Sequence, residues 1–469
     1  MRRRTTLLLA AALTASGALA LPASPASAAA AKLTGDFNGD GYRDIAVADP
    51  SATVSGKDTA GAVTVFYGSA SGISADRRKT ITQATTGIPG SPEMGDGFGD
   101  SLATADLDQD GYTDLLIGDP GESVGTDIHR GSLTVVWGGA SGLGSGATVQ
   151  PAYLPDDGCT FGEGLAAGDT DGDGNPDVVV GSRCSAQYFS GPFTRTGTPA
   201  ATDHDHLLGT THTAVVGNVD GDAAAERVML PGRYSNDPGG RVYLDNWNGG
   251  RFSRTELTGA DGTTGAITDT NGDGYGDLVL GDYDDPSSDK PGGHRGGQIS
   301  VWFGGPTGID PAQTPVLIDQ DTAGVPGSGE KGDQFGYSLA VGDTNKDGYG
   351  DIAVGTPGEA IGSEGNAGAV TVLLGSAHGP TGTGARALNE DTDGISGAAE
   401  DGDAFGSAVS LSDNNGDGKA DLTVGIPSEN SSGCTWNAHG TSVTGSFYIC
   451  APALGLTGGY TGVGTVLAP

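Results

Sequence analysis

Short apolar runs of four or five residues recur along the chain, each bounded by Gly, Pro, Asp or Asn. Leu102-Ala103-Thr104-Ala105 and Leu339-Ala340-Val341-Gly342 lead their segments, and Asp114-Leu115-Leu116-Ile117-Gly118 and Asp351-Ile352-Ala353-Val354-Gly355 follow them. Asp177-Val178-Val179-Val180-Gly181 and Asp277-Leu278-Val279-Leu280-Gly281 repeat the following type. Runs this short, rich in Val and Ile and punctuated by turn formers, predict strands and not helices. The polar stretch between a leading and a following run is therefore the turn of a β-hairpin.

That turn is a nonapeptide repeated in strict register. Its positions 1, 3, 5 and 9 are Asp36, Asn38, Asp40 and Asp44, then Asp106, Asp108, Asp110 and Asp114, then Asp169, Asp171, Asp173 and Asp177. The series continues with Asp269, Asn271, Asp273 and Asp277, then Asp343, Asn345, Asp347 and Asp351, then Asp413, Asn415, Asp417 and Asp421. Glycine holds position 6 in all six copies. Oxygen donors on alternate residues of a tight loop suit a hard cation such as Ca²⁺, which takes six to eight oxygens, and position 7 would add its carbonyl. Glycine at 6 permits the left-handed turn that a Cβ opposes. No His or Cys occupies a ligand position, which disfavours Zn²⁺ and copper. About six structural Ca²⁺ sites are expected. A seventh, worn copy runs from Asn218 to Glu226, with Ala223 at position 6. An EF-hand would need flanking helices, and none fits.

The hairpin belongs to a longer unit: Phe-Gly, strand, Asp loop, strand, Gly-x-Pro, strand, and a fourth strand. Phe98-Gly99, Phe161-Gly162, Phe335-Gly336 and Phe405-Gly406 open such units. Four strands per roughly 60 residues describe a propeller blade. Loop-to-loop spacings of 70, 63, 49, 51, 74 and 70 residues leave room for seven blades. With these motifs in hand, the chain resembles the FG-GAP repeats of the integrin α-subunit head, in a secreted bacterial form. The resemblance implies an all-β, seven-bladed β-propeller with Ca²⁺-binding loops on outer hairpins. Blades are expected at about 31–90, 91–155, 156–205, 206–257, 258–328, 329–398 and 399–469, within a domain spanning 29–469. Blade 1 lacks a Phe-Gly, and Tyr460–Leu467 is the candidate closing strand. The four phenylalanines are expected as core wedges between blades.

Residues 1–28 read as an export signal: Arg2, Arg3 and Arg4, an apolar stretch, and Ala26-Ser27-Ala28 as a cleavage pattern. The chain is thus expected to be secreted, with no membrane span. The formal charge of −36 becomes −39 without the three leader arginines, and −27 with six bound Ca²⁺. Of 59 acidic residues, 20 lie in the six intact loops. The remaining acidity argues against nucleic acid and anionic membranes as partners. Cys159 with Cys184, and Cys434 with Cys450, are the expected disulfides of an exported chain, though other pairings are open.

Candidate chemistry beyond the loops is sparse. Gly121-Glu122-Ser123-Val124-Gly125 matches a nucleophile elbow, but blade 6 carries Ala360 at the serine position. Asp203, His204, Asp205 and His206, with His212 nearby, read as an exposed polar connection before a metal site. Trp137, Trp302, Tyr67 and Phe303 are expected in the core, with Trp247 and Trp436 as surface candidates. There is no Arg-Gly-Asp. The chain is therefore expected to be non-catalytic, binding an extracellular protein or glycan in adhesion. Its variable loops 51–60, 121–130, 282–297, 358–367 and 428–441 would supply recognition. The alternative is an extracellular polysaccharide lyase or hydrolase with its site at the central channel.

Overall fold

The computed structural model describes residues 33–469 apart from 126, 154–157, 233–238, 288–289, 291 and 457–461. The leader expected at 1–28 lies outside them. Seven four-stranded antiparallel sheets form the molecule. In blade 2 the strands run in order: Ser101–Ala105, Asp114–Asp119, Ser132–Val136 and Gly146–Thr148. The second strand of each blade is buried along its whole length, all six residues of Asp114–Asp119, Asp277–Asp282, Asp351–Thr356 and Asp421–Ile426 being inside. That is why these runs lack the alternation of a half-exposed strand.

The first strand of each blade touches the first strand of the next, closing a ring around the axis. These axial strands are Ser101–Ala105, Leu165–Gly168, Thr213–Gly217, Thr264–Thr268, Ser338–Gly342, Ala408–Ser412 and Val466–Ala468. The last of them closes the ring: Val466–Ala468 leaves the blade-7 range and pairs with Ile45–Asp49 as the inner strand of blade 1. Part of the expected closing segment, 460–461, lies outside the described residues. The C-terminal segment also supplies blade 1 with its missing Phe-Gly. Val463 bridges Gly433 in parallel, as Phe161 bridges Gly131 and Phe405 bridges Gly368, and Gly464 takes φ +91°. A Cβ on Gly131 would lie 2.2 Å from the Phe161 carbonyl oxygen, so only glycine admits this approach.

The core is divided among the interfaces between blades. Phe98, Phe161, Phe335 and Phe405 are fully buried there, between blades 1 and 2, 2 and 3, 5 and 6, and 6 and 7. Trp137 and Trp302 are buried, and Tyr67 and Phe303 half-buried. Trp436 corrects the sequence reading. It is fully buried in strand Cys434–Ala438, 6.0 Å from the Phe405 ring, so segment 428–441 is partly strand and not one variable loop. The polar alternation Cys434-Thr435-Trp436-Asn437-Ala438 hid it, because Thr435 and Asn437 are also buried, with Asn437 bonded to Thr423. Both expected disulfides are formed.

Candidate metal centres

In blades 2 to 7 the Asp loop joins the first strand to the second, and in blade 1 it leads into the second strand Ile45–Asp49, so all seven lie at one end of the propeller near the axis. They are not on outer hairpins as the resemblance implied. An outer hairpin would join strands three and four, and those turns carry no such motif.

Each loop folds around its own position-1 carboxylate. Asp36 accepts the backbone N–H of Gly39 (2.6 Å), Asp40 (3.2 Å) and Gly41 (2.9 Å). Asn38 accepts the Asp40 N–H, and Asp40 accepts the Tyr42 N–H. The bonds from the N–H groups of positions 5, 6 and 7 recur in the loops beginning at Asp106, Asp169, Asp269, Asp343 and Asp413. Positions 1, 3 and 9 are brought together in the loops of blades 2 and 3, while the position-5 carboxylate accepts the N–H of position 7. Carboxylate oxygens of Asp106, Asp108 and Asp114, and of Asp169, Asp171 and Asp177, lie within 4.8 Å of one another. An all-oxygen donor set of this spacing fits Ca²⁺. In the worn copy, Asp220, Asp222 and Glu226 converge equally closely.

Position 9 also anchors the backbone on both sides. Asp44 is buried and accepts the Phe37 N–H (2.9 Å) from its own loop and the Gly68 N–H (2.8 Å) from beyond the third strand. Asp114, Asp177, Asp277, Asp351 and Asp421 each make the equivalent pair of bonds. Glu226 keeps the loop half, accepting the Val219 N–H at 2.8 Å. Burial, with like charge from the loop, pushes Asp44 up to about 7, Asp114 to about 8 and Asp421 to about 6.

Position 4 was also missed. It is left-handed in all seven loops, including Gln109 (φ +56°) and Lys346 (φ +68°), and the glycine found there in five copies was the available signal. Four of those glycines receive the next loop's tyrosine: Tyr112 packs over Gly39, Tyr275 over Gly221, Tyr349 over Gly272, and Tyr42 over Gly416 across the ring closure. Backbone bonds accompany these contacts, Thr113 N–H to Asp36 O and Ala420 N–H to Asp343 O among them. The Asp loops therefore form a linked belt. Two arginines cover loop carboxylates: Arg77 pairs with Asp40 at 3.0 Å, and Arg195 pairs with Asp108 at 2.5 Å and also with Asp110.

The chain carries FG-GAP repeats, matched at residues 33–66, 98–137, 161–186, 335–373 and 405–449. It is an integrin-α-like FG-GAP β-propeller. The matched stretches of this FG-GAP propeller fall in blades 1, 2, 3, 6 and 7. Integrin alpha-PS2 of Drosophila melanogaster is 33% identical over 208 residues, 42% of this chain and 13% of that protein. Mouse integrin alpha-8 is 42% identical over 85 residues, 18% of this chain and 7% of that protein. A rat phosphatidylinositol-glycan-specific phospholipase D is 32% identical over 147 residues, 31% of this chain and 17% of that protein. The propeller spans less than a fifth of each of these relatives.

The other candidate groups separate. Ser123 lies in a loop between two strands, and no strand-to-helix turn presents it. Asp203 and His204 are in the outer strand Ala201–His204 of blade 3 and are not part of a connection. Asp203, His204 and His206 share one exposed corner, while His212 pairs with Glu163 at 3.0 Å. Trp247 is half-buried beside Phe252, at the edge of a cleft of about 590 Å³ between blades 3 and 4. The apolar cluster there is small and alanine-rich. Polar groups fill the gap: Arg227 lies over the rings of Phe252 (3.2 Å) and Tyr188 (4.0 Å), and Arg254 holds Asp245 at 2.6 Å and Asp205 at 2.7 Å. No periodic pattern along the chain marks this group. Among the described residues no helix is long and apolar enough to cross a membrane.

Proposed function

We propose that this chain is a Ca²⁺-stabilised, extracellular, non-catalytic propeller that binds a protein or glycan. One contrast carries the reading. Seven Asp loops gather oxygen donors at one end of the molecule, while the axial strands offer no acid, base or nucleophile stronger than Ser and Thr. Their sequences are SLATA, LAAG, TAVVG, TGAIT, SLAVG, AVSLS and VLA. A lyase or hydrolase in the channel would need ionisable groups there. Two disulfides and likeness to integrin α chains support an extracellular setting. Recognition is assigned to the end opposite the Asp loops, where variable loops join second to third strands.

The test is a glycan array and a panel of purified extracellular matrix proteins, probed in Ca²⁺ and in EDTA, with Ca²⁺ content measured on the same sample. Binding in Ca²⁺ that EDTA abolishes is expected. A protein that carries no Ca²⁺ sinks the metal claim. Turnover of polysaccharides or phosphoesters, the class suggested by the phospholipase relatives, would sink the non-catalytic one.

A further inference from the structure

At the end of the propeller opposite the Asp loops, three buried nests of oxygen atoms repeat at interfaces between blades. The first joins Gln83, just past the outer strand of blade 1, to Asp96, Asp119 and Glu122 of blade 2. Carboxylate oxygens of Asp96, Asp119 and Glu122 lie within 4.8 Å of one another. The second nest, between blades 5 and 6, uses Gln320, Asp333, Thr356 and Glu359 at the equivalent positions. The third, between blades 6 and 7, uses Glu390, Asp403 and Glu429.

Each nest holds two buried oxygens without a partner. They are Gln83 Oε1 and Asp119 Oδ1, then Gln320 Oε1 and Thr356 Oγ1, then Glu390 Oε2 and Glu429 Oε2. All six residues are more than nine-tenths buried. The aspartates are fixed in place, because Asp96, Asp333 and Asp403 accept the N–H of Glu93, Glu330 and Glu400 at 2.6, 2.6 and 2.8 Å. Among the described residues, no Lys or Arg hydrogen-bonds to these nests. A buried oxygen without a donor is costly, and here the cost recurs in three places of one design.

We propose that each nest is a Ca²⁺-class divalent cation site stapling two blades, additional to the Asp loops and independent of them. The Gln83, Gln320 and Glu390 position identifies the ligand. Amide and carboxylate share only an oxygen, so oxygen is what the site uses. The Gln83 amide nitrogen donates to Asp119 (2.9 Å) and Glu122 (2.8 Å), and that of Gln320 donates to Glu359 (2.6 Å). Turning the amide over presents the orphaned Oε1 to the same centre. Glu390 has no nitrogen to offer, and its one bonded oxygen takes the Tyr448 O–H at 2.8 Å. Three carboxylates then face one another with no positive charge between them. A water could satisfy one oxygen but brings no positive charge, so only a proton or a cation between the carboxyls relieves their repulsion. Burial and mutual repulsion accordingly push Asp119 up to about 9 and Asp333 to about 7. Donors that are oxygen throughout, with waters completing the shell, match Ca²⁺ and not a thiolate- or imidazole-seeking metal.

The deciding experiment is an anomalous difference map from crystals of the unmodified protein soaked in Tb³⁺, with Ca²⁺ content in solution as the companion. Peaks are expected inside all three nests as well as at the Asp loops. Glu429→Gln should lower the Ca²⁺ count by one and lower the melting temperature in Ca²⁺ while leaving that in EDTA unchanged, whereas a purely structural role would lower both. Peaks confined to the Asp loops, with ordered water in the nests, would overturn the proposal. If Glu429→Gln fails to fold, the map of the unmodified protein still decides. Peaks in the nests with none at the Asp loops would overturn the hairpin reading and leave this one standing.

Discussion

Asp351 tests whether position 9 is a backbone clamp as well as a cation ligand. It is fully buried, and its Oδ2 accepts the Thr344 N–H at 2.9 Å and the Thr344 hydroxyl, while Oδ1 accepts the Gly375 N–H at 2.9 Å. Asp351→Ala strands three donors, two of them buried backbone N–H groups, at about 1–3 kcal/mol each. Removing the carboxylate also relieves the unfavourable burial that raises its pKa, so the net loss is about 3–5 kcal/mol. At about 2.1 cal/mol/K per residue over 469 residues, the unfolding entropy is about 1 kcal/mol/K, which converts the loss to a shift of about 3–5 °C. Asp347, at position 5 of the same loop, is exposed and accepts only the Tyr349 N–H. Asp347→Ala should therefore cost less than about 0.5 kcal/mol in EDTA and matter only in Ca²⁺. Calorimetry of both variants in EDTA and in Ca²⁺ separates the two roles. Asp351→Ala melting within 1 °C of the unmodified protein in EDTA would refute the clamp.

Three further outcomes follow from the same geometry. In EDTA the folded protein holds protons on Asp44, Asp114 and Asp421 that the unfolded chain releases near pH 4, so its stability falls as pH rises from about 5 to 8; the gap between Ca²⁺ and EDTA melting temperatures should widen over that range, and a gap that narrows counts against the site. Arg195→Ala should tighten Ca²⁺ binding at the blade-2 loop by freeing Asp108 and Asp110, read as a lower dissociation constant by calorimetry; weaker binding would mean that Arg195 orders the ligands. Trp436→Ala should lose about 3–5 kcal/mol, read by urea denaturation, and Trp436→Phe much less, because its indole N–H has no partner to lose; an unaffected midpoint for Trp436→Ala would contradict its burial.

Much of the fold was legible because the chain states it repeatedly. Seven loops in register fix the blade count, and Val- and Ile-rich runs after each loop mark strands buried on both faces. The recurring loop with its position-1 and position-9 carboxylates was legible for the same reason. What escaped depends on contacts between distant segments. Val463-Gly464 does the work of a Phe-Gly for a blade that begins some four hundred residues earlier, and Gly462 N–H meets Asp49 across 413 positions. The second duty of position 9 needs Gly68 or Gly375, which no local pattern links to it. Trp436 was misplaced because its strand buries Thr and Asn beside it, so polarity pointed outward where packing points in. The nests escaped because Gln83, Asp96 and Glu122 are scattered over some forty residues and become one group only when a strand end and two loops meet.

The ring closure sets an order on synthesis. Ile45–Asp49 is among the first strands to emerge, and its partner Val466–Ala468 is the last, about 420 residues later. At about 5–20 residues per second, the edge of Ile45-Ala46-Val47-Ala48-Asp49 waits roughly 20–80 s for its neighbour. An apolar, unpaired edge invites pairing with another nascent chain. Crowded ribosomes on one message would therefore be the setting in which this propeller is most exposed to misassembly, and slowing elongation would lengthen that exposure.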